Sequence, residues 1–126
     1  MRPTLEPGDR LLVNRGAYRQ TPPIVGEIVV LNDPDQPDRI LIKRVALVGP
    51  DSAWILRNGF RSSFRSGEPP PLDSIERLEV EAGTLLVLSD RLARSRDSRR
   101  FGPVSFSAIL GRAYFRYAPV ARKGPL

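Results

Sequence analysis

The chain has 126 residues, 40% hydrophobic and 27% charged, the balance of one soluble globular domain large enough to bury a core. It holds no Cys and no His, which excludes thiol nucleophiles, His-based triads and the usual zinc sites; general-base work falls to Lys, Asp, Glu or Tyr. The net charge of +6 suits nucleic acid, an anionic membrane surface or plain solubility, and no apolar run approaches the roughly 20 residues of a membrane span.

Thirteen prolines and ten glycines cut the chain into short pieces, so long helices are not expected. Pro3 and Pro7-Gly8 frame a turn ahead of a short strand at Arg10–Asn14, and residues 15–24 form a polar, proline-interrupted loop. Gly26 starts a strand at 27–31 (EIVVL). The turn-rich stretch 32–39 (NDPDQPDR) then leads into Ile40–Val48 (ILIKRVALV), the most apolar run of the chain. Residues 53–57 followed by Asn58-Gly59 read as a hairpin with a primed turn. A loop follows at 61–71, then 72–81 as a helical turn or weak strand, and a buried strand at Thr84–Leu88 behind Gly83. A polar, basic loop covers 89–100, a helical turn 107–110 and a closing strand 111–117 (GRAYFRY), with a tail behind it. Short strands at close spacing with turn chemistry between them predict a β-dominated, antiparallel domain.

Of the 20 basic residues only Lys43 and Lys123 are lysine, and Lys123 lies in the Gly/Pro-punctuated tail. As a strand, Ile40–Val48 puts Leu41, Lys43, Val45 and Leu47 on one side and Ile40, Ile42, Arg44, Ala46 and Val48 on the other. Lys43 then stands among aliphatic neighbours, where desolvation disfavours its ammonium. An arginine cannot be neutralised in this way, so a site needing a basic amine must use lysine. A strand-edge lysine snorkelling to water fits the same pattern.

The loop 89–100 (SDRLARSRDSRR) holds three serines, two aspartates and five arginines. It reads as solvated surface, as a basic patch for nucleic acid, or as an internally paired scaffold. Nucleic acid is disfavoured, because the loop has no aromatic residue for base stacking and its aspartates repel phosphate. In the scaffold reading Asp97 and Arg99 bridge and hold Ser95 where its hydroxyl orients an amine.

Taken together these blocks are more specific than any one of them. Met1 to Leu5 with Gly8-Asp9, then Gly26 to Val30, Ile42 to Val45, Ser95 to Val104 and Gly111 to Tyr117 form a succession. It resembles the type I signal peptidase family of membrane-bound serine proteases, in the compact bacterial form, over residues 1–119, with 120–126 as tail. The resemblance implies a mainly β fold of short antiparallel strands in coiled sheets, shared with LexA-type self-cleaving domains, and a Ser/Lys dyad. It makes Lys43 the general base, Ser95 the hydroxyl that orients it, and Asp97 and Arg99 the supporting ion pair. Met1, Leu5 and Ile42 fall where the family lines its pocket for small side chains, and the substrate strand lies against Ile40, Leu41, Ile42 and Lys43. The implied partners are preprotein signal peptides with small residues at the cleavage site, and a membrane reached through a segment ahead of Met1. The implied location is the cell membrane with the catalytic domain on the extracytoplasmic side; no metal, cofactor or nucleic acid is implied.

The pattern also departs from the family. The nucleophilic serine is expected directly before the methionine that aligns with Met1, so the chain is expected to be cut just after it and to be inactive as given. The family's Gly-Asp-Asn reads Ser89-Asp90-Arg91 here, and Leu92-Ala93-Arg94 replaces its usual Arg-Asp-Asn. The rival readings are a serine-less, non-catalytic relative, a basic binding module and a LexA-type peptidase domain.

Overall fold

Period-two alternation of buried and less buried side chains runs along Ile40–Val48 without a break, and that strand is the axis of the molecule. A computed structural model describes residues 1–56, 64–65, 75–91 and 96–126, with the backbone alone described at 54–56, 64–65 and 75–76. Its strands are β1 (Arg10–Asn14), β2 (Ile28–Asn32), β3 (Ile40–Val48), β4 (Asp51–Leu56), β5 (Phe64–Arg65), β6 (Ile75–Val80), β7 (Thr84–Leu88), β8 (Val104–Ser105), β9 (Ile109–Ala118) and β10 (Gly124–Pro125). One helical turn, α1 (Ser98–Phe101), lies between β7 and β8. No helix among the described residues is long and apolar enough to cross a membrane.

The larger sheet has seven strands in the order β1-β9-β2-β3-β7-β8, with β10 also on β9; the smaller is β5-β4-β6. Every pairing is antiparallel. The fold is therefore mainly β, as the sequence predicts. Gly49 turns the chain from the larger sheet into β4: its N–H donates to Thr84 O at 2.9 Å, and a Cβ there would stand 1.9 Å from Glu81 O. Only glycine lets the two backbones come this close.

Val29, Leu31, Leu41, Val45, Leu85, Val87 and Val104 form the main core, and Leu47, Ala53, Val80 and Leu86 a second cluster at the junction of the sheets. Residues 72–81, open between helical turn and strand in the sequence, contain β6, because Ile75–Val80 pairs with the whole of β4. The Asn58-Gly59 turn lies outside the described residues. The closing strand is longer than expected, at Ile109–Ala118, and the helical turn before it falls at Phe106–Ala108. Within the tail, β10 returns to pair with β9.

Pairing along β3 changes partner halfway. Ile40 to Arg44 pair with β2 on one edge, whereas β7 covers the other edge only from Arg44 to Val48. On the β7 side, Ile40 to Lys43 thus have no strand partner among the described residues.

Candidate active site

Lys43 lies at the end of that open edge. Its face of β3 is the core face, so the side chain is 9% exposed although it carries an amine. Its Nζ donates a hydrogen bond to Ser89 Oγ at 2.6 Å. Burial lowers the pKa of the amine below the ordinary lysine range; the Asp97 carboxylate opposes this, and the charges of Arg99, Arg39 and Arg96 add to it.

The register explains which residues meet. Arg44 is opposite Leu88, so one residue further along the antiparallel pair Lys43 comes opposite Ser89 on the same face. Asp90, the next residue, turns to the face of Arg44. There its carboxylate receives Arg44 Nε and Nη2 at 2.8 and 2.9 Å and also accepts from Thr4 Oγ1. Arg44 Nη1 donates to Gly26 O at 2.7 Å. Hydrogen bonding from Arg44 is the leading cause that holds the Asp90 carboxyl below its usual range.

Behind Ser89, side chains of the segment 97–99 take the backbone N–H groups of β7 and its extension beyond the short pairing with β8. Val87 N–H donates to Ser98 Oγ at 2.8 Å, and Ser89 N–H to Asp97 Oδ2 at 3.0 Å. Asp97 also caps α1 by accepting from Arg99 N, and binds Arg99 Nε and Nη2 at 2.9 and 2.7 Å. Two buried charges thus satisfy each other and the backbone at once. Arg96 ties the same loop to the β2–β3 connection through Asp33 at 2.7 Å and Asp35 at 3.0 Å.

Of the residues singled out in the sequence, Lys43, Asp97 and Arg99 converge, while Ser95 lies outside the described residues. Leu5 is buried and its N–H donates to Met1 O at 3.1 Å. That N-terminal segment is held by Thr4 on Asp90 and by Arg116 Nη1 on Thr4 O at 2.8 Å. Ile40 is exposed and Ile42 half-buried beside the open edge, whereas the Leu41 side chain packs into the core. Ser89, Asp90, Arg44 and Thr4 were not foreseen. For Ser89, Asp90 and Arg44 the signal was the Lys43-Arg44 and Ser89-Asp90 dipeptides, which an antiparallel pairing can set face to face.

An antiparallel β domain that buries one amine beside an open strand edge suits a peptidase using lysine as its base. The family model described as signal peptidase, peptidase S26, matches residues 1–59 and 56–118. The chain is 33% identical to a probable signal peptidase I-1 of Synechocystis, over all of this chain and 70% of that protein. It is 36% identical to mitochondrial ATP-independent inner membrane protease subunit 1b of Arabidopsis thaliana, over all of this chain and 69% of that one. A crystal structure of a signal peptidase I from Enterococcus faecalis V583 shares the fold, with a TM-score of 0.53 at 18% identity, covering 73% of this chain and 97% of that chain. The chain belongs to the signal peptidase family S26.

Proposed function

We propose that this chain carries the catalytic domain of a signal-peptidase-I-like serine endopeptidase in which Lys43 is the base. The carrying observation is a desolvated Lys43 amine, anchored at 2.6 Å on Ser89, beside the open edge of Ile40 to Lys43. The exported preprotein adds as an extended strand to that edge, its backbone on Ile40, Leu41 and Ile42. Met1, Leu5 and Ile42 form the shallow wall that admits only small side chains before the scissile bond.

In the reaction a serine hydroxyl attacks the scissile carbonyl carbon while neutral Lys43 Nζ takes its proton. The resulting ammonium gives that proton to the leaving amine as the C–N bond breaks and an acyl-serine remains. Water, deprotonated by the same amine, hydrolyses the ester and regenerates the serine. We place the nucleophile directly ahead of Met1. Two observations support this: Met1 is close enough for the Lys43 charge to help depress its amine, behind burial as the main cause, and Thr4 and Leu5 pin the segment there. The inner membrane in the name of the Arabidopsis thaliana protease subunit 1b favours a membrane-held enzyme, and we place its catalytic domain on the extracytoplasmic side.

The test is a version with a membrane helix and a Ser-ending segment ahead of Met1, given a preprotein with an Ala-Xaa-Ala site. Cleavage after the small residue is expected, with none from the chain as it stands and none from the extended Lys43→Arg variant. Arginine keeps its charge and cannot accept the serine proton. Undiminished cleavage by Lys43→Arg would overturn the assignment.

A further inference from the structure

We propose that Ser89 is a positioning residue for Lys43, its hydroxyl fixing the amine against the open edge of β3. The inference rests on the reading of Lys43 as the base. A lysine ammonium sits on four flexible methylenes and is poorly aimed by packing alone. Among the described residues its hydrogen bond is the short contact from Nζ to Ser89 Oγ at 2.6 Å, with Ser89 itself only 3% exposed.

Ser89 can serve as an anchor because its own backbone is fixed. Its N–H is bound by Asp97, Asp97 is clamped by Arg99, and Val87 two residues earlier is bound by Ser98. A serine hydroxyl can accept from an ammonium and donate to a neutral amine. The contact therefore survives both protonation states of Lys43, which a carboxylate partner would not allow without pinning the amine in its charged form. Among the described residues the charged groups with the largest effect on Lys43 are Asp97, Arg99, Arg39 and Arg96, with the Met1 amine also within its reach; replacing Ser89 by a neutral residue leaves all of these in place.

The experiment compares Ser89→Ala, Ser89→Gly and Ser89→Thr by two readouts. One is an NMR titration of the Lys43 amine in the chain as it stands. The other is the pH profile of preprotein cleavage in the serine-bearing form. Ser89→Ala should lower kcat about tenfold with KM little changed, the scale of one charge-assisted hydrogen bond. The Lys43 titration, and with it the acid limb of the profile, should move to lower pH because the ammonium loses its acceptor. Ser89→Gly should repeat this, so the test survives if one variant fails to fold, and Ser89→Thr should restore both readouts. Folded Ser89→Ala and Ser89→Gly proteins with an unchanged titration and profile would overturn the proposal, as would a folded Ser89→Thr no better than Ser89→Ala. If no form cleaves and the titration still responds to Ser89→Ala, the anchoring stands and the endopeptidase reading falls.

Discussion

The loop after β7 makes two arginine–carboxylate pairs of the same bidentate kind in different surroundings. Asp97 and Arg99 have side chains 0% and 3% exposed, whereas Asp90 and Arg44 keep 17% and 34% of theirs. The buried pair is a piece of framework: it caps α1, holds Ser89 N–H and completes the edge of β7. The outer pair is a clasp, joining β3 to the N-terminal segment through Thr4 while water still reaches both ions. Removing an ion from water demands full saturation of its partners, so the buried pair fixes geometry and the outer one tunes it.

The largest break of this contrast is Asp97→Ala. It leaves the Arg99 guanidinium and the Ser89 N–H without their carboxylate, and should cost about 3–5 kcal/mol in urea unfolding. An Asp97→Leu/Arg99→Met double variant should lose less than Asp97→Ala alone, because no buried charge is left without its partner. Asp90→Asn should cost about 0–1 kcal/mol, a difference that shrinks in high salt. Equal losses at positions 90 and 97 would erase the distinction between framework and clasp.

Lys43 is the opposite case to Asp97 and Arg99, an amine whose hydrogen-bond partner among the described residues is a neutral hydroxyl. Its folded pKa lies below the unfolded value, so between the two the unfolded chain binds more protons and stability rises with pH. The penalty is complete below the folded pKa and gone above the unfolded value of about 10.4. Lys43→Met should therefore be neutral or stabilising at neutral pH, with any gain fading toward pH of about 10 and above. Measuring unfolding free energy for both proteins across that range checks it, and a clear loss at neutral pH would count against a desolvated amine.

Much of the frame was legible in the chain. Arg10–Asn14, Ile40–Val48 and Thr84–Leu88 are strands with the boundaries read from the sequence, because each is an apolar run closed by turn residues. The alternation of β3 also put Lys43 on one side with Leu41, Val45 and Leu47, while leaving open whether its amine is buried or reaches water. Residues 72–81 could not be decided locally, since their mixed charge satisfies neither period; pairing with β4 made the strand. The Lys43–Ser89 and Arg44–Asp90 contacts were hidden for another reason. They depend on the β3–β7 register, which shifts at an irregularity between Val45 and Leu47, and a slip of one residue exchanges the two faces. Nothing in the amino-acid order marks such a shift. The return of β10 to β9 was equally silent, being set by backbone pairing at a glycine and a proline.

The most direct test of a desolvated Lys43 is an NMR titration of its Nζ signal in the folded chain, which has only one other lysine to assign. A buried amine held by a neutral hydroxyl should titrate below the free lysine value of about 10.4. A Lys43 amine that titrates at that free value would contradict the account.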